Sequence, residues 1–244
     1  MIFNFFKSKP TLKELIPHGF VDIHSHILPG IDDGAKNTKE SIELILEMKK
    51  MGFSKIIGTP HTYKGLYDNT NETIKKSYDS IINNIKDEIS IDYASEYMID
   101  ESILSKISNK SILTLKGRYV LIEMGFISAP LNLLEIIFEL KTNGYIPILA
   151  HPERYAFLFD NFKLYQKLKH HGCKFQINLL SVNGYYGKVV SKISDILLKR
   201  NMIDFAGSDI HKISHIRFMN NRVEINEVEK LKEVMKNNIS IFSD

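Results

Sequence analysis

Val21-Asp22-Ile23-His24-Ser25-His26 is the stretch on which the reading of this chain turns. It reads as a short strand, and alternate side chains of a strand point to one face. His24 and His26 therefore project together, in the arrangement by which two imidazoles grip one metal ion. A His-x-His pair alone says little. Its weight comes from the rest of the chain, which keeps delivering His, Glu and Asp at the ends of apolar runs.

Working outward, Leu28 to Gly34 is a loop of turn residues. A helix follows, capped by Asn37 or Thr38 and ended by Gly52. Lys55 to His61 predicts a second strand, and Ile89 to Glu96 a third after a helix from Ile74. One or two short helices span Glu101 to Ile112 before a fourth strand, Tyr119 to Glu123. Pro130 to Asn143 is a helix with Gly144 as its cap, and Tyr145 to His151 a fifth strand. The pattern continues with a helix from Phe162 to His171, a strand from Lys174 to Asn178 and a helix from Val189 to Arg200. A seventh strand, Met202 to Ala206, leads into Gly207-Ser208-Asp209-Ile210-His211, and the last helix is expected from Val223 to Met235.

Strands apolar on both faces and alternating with helices predict an α/β fold with a parallel, helix-covered sheet. About seven such units suggest a TIM-like barrel, whose chemistry sits at the C-terminal strand ends. A doubly wound open sheet is the alternative, but it gathers side chains from fewer strand ends.

With 244 residues, 43% of them hydrophobic, the chain suits one domain with a substantial core. Residues 20–244 are expected to form it, with 1–19 as an N-terminal arm. A net charge of +3 without a dense basic block gives no reason to expect nucleic acid. The single cysteine, Cys173, excludes an internal disulfide and fits a reducing cytoplasm. The arm carries Phe3, Phe5 and Phe6, but its apolar part is too short for a signal peptide or a membrane span. It is expected to pack on the body or on a neighbouring subunit, with weak membrane-surface contact as the alternative.

The chemical candidates are His24, His26, Asp33, His61, Glu96, Glu123, His151, Asp209 and His211. Such groups at one barrel mouth are costly unless metals or partners compensate them. The set exceeds what one ion needs, and mixed His/carboxylate ligation without thiolates suits zinc, manganese or iron. Each residue has a blander reading: Asp32 and Asp33 as turn caps, His151 as a core histidine, His211 as a surface one. Those readings would all have to hold together at about seven similar strand ends. His18, His170 and His171 lie off the mouth and read as structural, while His215 stays open. Cys173 is no phosphatase nucleophile, because the position where a Cys-x5-Arg loop would place arginine is Leu179. It reads as a small buried residue.

Asp22-Ile23-His24-Ser25-His26, Thr59-Pro60-His61, Leu121-Ile122-Glu123, Ala150-His151-Pro152-Glu153-Arg154 and Ser208-Asp209-Ile210-His211 together resemble the polymerase-and-histidinol-phosphatase (PHP) family. Within it, His26 to Gly34 and His61 to Tyr67 resemble the CpsB-type protein-tyrosine phosphatases of bacterial capsule biosynthesis. The resemblance implies a distorted seven-stranded barrel and three divalent metal ions, commonly manganese, with iron or zinc as alternatives. It implies that His24, His26 and Asp209 hold one metal, and that Glu96 bridges it to a second held with Glu123 and His151. Asp33, His61 and His211 would hold the third, with Asp32 as the alternative to Asp33. Arg154 and Arg217 would bind phosphate, Arg217 standing one residue further past the Asp-x-His than the family pattern. The implied reaction is hydrolysis of phosphotyrosine on the tail of a bacterial tyrosine kinase controlling capsular or exopolysaccharide synthesis. A metal-bridged hydroxide would attack, with His61 and His211 beside the leaving oxygen. Tyr63, Lys64 and Tyr67 are expected on the rim that receives the peptide.

Two other readings stand beside this one. A histidinol-phosphate phosphatase, another small phosphomonoester phosphatase or a nuclease of the PHP family would use the same donors. A non-catalytic barrel acting as a binding module would have no reason to keep them.

Overall fold

The computed structural model describes residues 8–85 and 87–243, so Phe3, Phe5 and Phe6 of the expected arm lie outside the described residues. The strands are β1 (Phe20–Ser25), β2 (Phe53–Gly58), β3 (His61–Thr62), β4 (Ser90–Tyr93), β5 (Glu96–Met98), β6 (Tyr119–Glu123), β7 (Ile146–Ala150), β8 (Lys174–Asn178) and β9 (Phe205–Gly207). The helices are α1 (Leu12–Leu15), α2 (Thr38–Lys50), α3 (Asn71–Ile85), α4 (Glu101–Ser108), α5 (Leu133–Thr142), α6 (Phe162–His170), α7 (Lys188–Lys199), α8 (Ile213–Phe218) and α9 (Val228–Phe242).

All strand pairs are parallel, in two ladders ordered β1-β2-β4 and β3-β5-β6-β7-β8-β9. The second and third expected strands are each broken in two, by Thr59-Pro60 and by Ala94-Ser95. Pro60 has no N–H to give the ladder, and its carbonyl instead accepts from Glu96 N at 3.0 Å. The break lets the upper segments, β3 and β5, begin on His61 and Glu96.

Val21 and Ile23 of β1, Ile57 of β2, Leu121 of β6, Ile148 and Ala150 of β7 and Phe205 of β9 form one contact cluster with Phe242 of α9. Residues from five strands can meet only inside the ring, so this cluster is the barrel interior. The ring of Phe242 closes its lower end against Tyr119 and Phe205, at centroid distances of 5.2 Å each. A larger apolar cluster lies between the strands and the helices outside them.

The ring closes between β1 and β9 with few backbone bonds. At the upper end Asp209 N donates to His24 O at 2.7 Å, and His26 N to Ile210 O at 2.9 Å. Lower down, side chains replace the ladder. Buried Asn238 of α9 donates to Val21 O (2.9 Å) and Ala206 O (2.6 Å) and accepts from Ala206 N (3.0 Å). Asp22 accepts from Ser208 N at 2.9 Å and from its hydroxyl.

Other departures from the expected elements come late in the chain, where the seventh strand, expected from Met202, begins at Phe205. The last helix starts at Val228 and runs to Phe242. Val223 and Ile225 are buried, but through an extended segment in which Val223 N donates to Pro10 O and Glu224 N to Val182 O. Asp195 then accepts from Asn226 N and Glu227 N, where the helix begins. The short helix α8 was not expected at all. The described part of the arm packs on the body: Leu12, Leu15 and Ile16 are buried, and Lys13 N donates to Met219 O at 2.9 Å.

The seam gives a stability prediction. Asn238→Ala leaves three buried backbone groups without partners and should cost about 2–5 kcal/mol, read as a lower urea midpoint. An unchanged midpoint would show that the seam does not depend on this side chain.

Candidate metal centre

The positions of the nine expected donors follow from how each strand ends. His24 and His26 lie at the end of β1, His61 opens β3, Glu96 opens β5, and Glu123 closes β6. His151 and Asp209 follow β7 and β9 with φ of 36° and 52°. That left-handed backbone is unfavourable for residues with a side chain, and such positions cluster at functional sites. Each is pinned there, His151 by a bond from its N–H to Gln176 O (2.8 Å), Asp209 by its bond to His24 O.

Two glycines admit this crowding. A Cβ on Gly207 would stand 2.6 Å from His24 Cβ, and one on Gly34 would collide with the His26 carbonyl.

All nine donors meet. Glu96 is fully buried, and its Oε2 lies 3.1 Å from His24 Nε2, 3.5 Å from His26 Nε2 and 3.1 Å from His61 Nδ1. Its Oε1 lies 3.2 Å from His151 Nε2. Asp209 Oδ1 is 3.4 Å from His24 Nε2 and 3.3 Å from His26 Nε2. Asp33 Oδ1 lies 3.5 Å from His61 Nε2 and 3.4 Å from His211 Nε2. Among the described residues, four overlapping sets have their donor atoms within 4.8 Å of one another. They are His26, Asp33, His61 and His211; His24, His151 and Asp209; His24, His26 and Glu96; and His61, Glu96 and Glu123.

This partition differs from the expected one at several points: Asp209 falls with His24 and His151 rather than with His26, His26 also joins Asp33, His61 and His211, and His151 parts from Glu96. Glu123 does not share a set with His151. It accepts instead from His61 Nδ1 at 2.7 Å. Asp32 and Asp33 also separate: Asp33 faces the imidazoles His61 and His211, whereas Asp32 accepts from His26 Nδ1 at 2.7 Å and from Gly34 N at 2.9 Å.

Two properties show that these residues fit metal ions. Both oxygens of buried Glu96, and Nδ1 of buried His151, have no hydrogen-bond partner. A buried carboxylate in that condition needs cations around it. The outer nitrogens of three other imidazoles are occupied. His24 Nδ1 donates to Gln176 Oε1 (2.8 Å), His26 Nδ1 to Asp32, and His211 Nδ1 to the Asp209 carbonyl (2.9 Å). Each bond turns Nε2 toward the carboxylates, so that once free of its proton it presents a lone pair there, the orientation that metal-binding histidines are given by their supporting partners. Gln176 and Asn178, whose Nδ2 donates to Asp209 Oδ2 at 2.6 Å, were not expected from the sequence. Their only signal was their place on β8, whose end carries none of the nine donors.

Arg154 lies at the edge of the centre, its Nη1 donating to Asp209 Oδ2 at 2.7 Å. Its guanidinium is held between the rings of Phe126 (4.9 Å) and Tyr186 (4.1 Å). Arg217, the other expected phosphate ligand, is not brought there. In α8 the face carrying His215 and Ile216 is buried, and the next residue is turned about 100° outward. Exposed Arg217 lines an outer cleft with Lys13, Glu43 and Glu47.

Tyr67 stacks on His61 at 5.4 Å in a tight turn where Tyr63 and Tyr67 bond through their backbones. Lys64 and Tyr67 border an open cleft of about 810 Å³ whose far wall is Asp100, Ser105 and Lys106. His215 is buried and accepts from His211 N, while His18, His170 and His171 are exposed. Burial pushes the Cys173 thiol up to about 12, so it holds no thiolate at neutral pH.

The family described as "Capsular polysaccharide synthesis, CpsB/CapC" matches residues 20–239. CapC of Staphylococcus aureus is 34% identical over 226 residues, covering 89% of each chain. Tyrosine-protein phosphatase YwqE of Bacillus subtilis is 33% identical over 202 residues, 81% of this chain and 80% of its own. A chain from the crystal structures of YwqE and Streptococcus pneumoniae CpsB, described as unique metal-dependent tyrosine phosphatases, superposes with a TM-score of 0.76. That superposition has 29% identity and covers 92% of this chain and 88% of that one.

The electrostatics of the centre make metal uptake pH-dependent. Burial opposes charge on His26 and His61, but Asp32, Glu96 and Glu123 outweigh it. His26 is raised well above its usual value, and His61 to about 10. These carboxylates favour the protonated imidazoles, and both must lose their protons to bind metal. Divalent-metal binding should therefore release protons, and affinity should keep rising with pH up to about 10, where His61 loses its proton. Calorimetry in buffers of different ionisation enthalpy measures this; uptake without proton release would show that these imidazoles are not ligands.

The fold, the motifs and the match over residues 20–239 place this chain in the CpsB/CapC capsular polysaccharide synthesis family, on a PHP-type barrel.

Proposed function

We propose that the protein is a metal-dependent tyrosine-protein phosphatase. Its substrate is phosphotyrosine on the tail of a bacterial tyrosine kinase that regulates capsular or exopolysaccharide synthesis. Residues 20–244 form the catalytic barrel, with 1–19 as its arm. The observation that carries this reading is the placement of Arg154. A planar fork that matches phosphate oxygens is clamped at the lip of a nine-donor metal centre.

The donor set suits three divalent ions, manganese first among them, with iron or zinc as alternatives. Bound there, they supply a water of lowered pKa and positive charge for the phosphoryl oxygens. The chain supplies the rest. Arg154 holds and orients the phosphate. His61 and His211, with side chains 17% exposed where His24 and His26 are fully buried, reach the mouth and can steady the leaving oxygen. Tyrosine's pKa near 10 makes the phenolate a fair leaving group, so little acid assistance is needed.

The cleft bounded by Lys64 and Tyr67 would take the peptide beside the phosphotyrosine. Its openness favours a protein substrate over a small one such as histidinol phosphate. No helix among the described residues is long and apolar enough to cross a membrane. A cytoplasmic location, with contact to the membrane surface left to the arm, suits such a substrate.

The test compares turnover of a phosphotyrosine peptide with that of histidinol phosphate, metal by metal, with a chelator as control. The peptide should be cleaved in preference, and chelation should abolish the activity. Cleavage of histidinol phosphate alone would reject the protein-phosphatase reading. Arg154→Ala should lower kcat/KM about 10- to 100-fold, the weight of a charged hydrogen bond to phosphate. An unchanged kcat/KM would remove Arg154 from the site.

A further inference from the structure

Phe126 has no structural need to be where it is. It lies three residues past Glu123, in a loop whose start is rigid: Met124 N donates to the buried Tyr155 Oη at 3.0 Å. Its ring stacks on His151, with centroids 5.8 Å apart and planes at 21°, and packs against Tyr155 at 5.5 Å. Arg154 sits 4.9 Å from its centre. Yet Phe126 is 47% exposed, and Ile127 after it is 95% exposed. A large apolar ring is thus left half open to water directly beside an anion-binding guanidinium and a donor of the metal centre. Core packing does not require this, because the fold leaves so much of the residue open to water.

We propose that Phe126 is the specificity-determining residue that stacks on the aromatic ring of the substrate, selecting aryl over alkyl phosphates. The assignment rests on the phosphatase reading above. A phosphate held by Arg154 carries its ester group at the same lip, and aromatic rings pair at centroid distances of about 4.5–7 Å. A phosphotyrosine ring would fall within that reach of Phe126, whereas a phosphoserine side chain has nothing to place there. Two other aromatic residues border the mouth. Tyr67 stacks on His61. Tyr186 flanks Arg154 at 4.1 Å, but it is less exposed than Phe126 and its hydroxyl accepts from Asn178 Nδ2 at 3.3 Å. Phe126 is therefore the open ring beside the phosphate position.

The experiment uses the metal-loaded protein and two peptides of one sequence, carrying phosphotyrosine or phosphoserine. Phe126→Ala should lose about 5- to 10-fold in kcat/KM on the phosphotyrosine peptide, the range of one aromatic pair. It should fall much less on the phosphoserine peptide, so that the ratio of the two rates drops, and it should keep its full metal content by elemental analysis. Phe126→Trp should retain the preference, and Phe126→Leu, apolar but without a ring, should lose it. An equal fall on both peptides, or loss of metal, would show that Phe126 only supports His151 and would overturn the proposal. So would an unchanged ratio of the two rates. If the unmodified protein cleaves no phosphotyrosine, the phosphatase reading falls and this assignment with it; a phosphotyrosine preference that survives Phe126→Ala removes this assignment alone.

Discussion

The Glu96 carboxylate governs this structure. It is fully buried, without a hydrogen bond, and faced by imidazole nitrogens of His24, His26, His61 and His151. Taking an ion out of water costs several kcal/mol even after relaxation, so a carboxylate so placed requires positive charge beside it. The imidazoles meet that requirement with protons, and divalent ions meet it with a stronger and more directional charge. The nearby Asp209 obeys the same rule. Burial opposes its charge, but His24 and His211 hold it well below the usual carboxylate range. Glu123 goes the other way, raised by burial and by Glu96.

The same constraint reaches down into the fold. His24 and Asp209 stand on either side of the β1/β9 seam, so the geometry of the centre depends on how the ring closes. Closure relies on polar side chains: Asn238 low in the seam, Asp22 with Ser208 above it, and backbone bonds only at the level of the ligands. Burial pushes the Asp22 carboxyl up to about 6, against the bonds from Ser208. The seam is thus one polar column, continuous from α9 to the ligands.

Much of this was legible in the residues. Alternation of apolar strands with helices gave the parallel barrel, because burial on both faces leaves a plain pattern. His24, His61, Glu123 and His151 announced themselves as polar residues ending apolar runs. The broken second and third strands were not separated, although Pro60 carried the reason. The start of the last helix was misplaced because Val223 and Ile225 are buried in an extended segment, and burial alone does not distinguish helix from strand. Arg217 was misassigned because a single residue of displacement on a helix turns the side chain to another face. Gln176 and Asn178 escaped notice since amides at a strand end carry no charge pattern; only the orientation they give to His24 and Asp209 reveals them.

The most direct test of the central claim is anomalous diffraction from crystals of the protein loaded with manganese. The account predicts strong peaks at coordination distance from both oxygens of Glu96, with His24, His26 and Asp209 around one of them. A well-ordered Glu96 that contacts only protonated histidines, with no peak beside it under saturating metal, would contradict it.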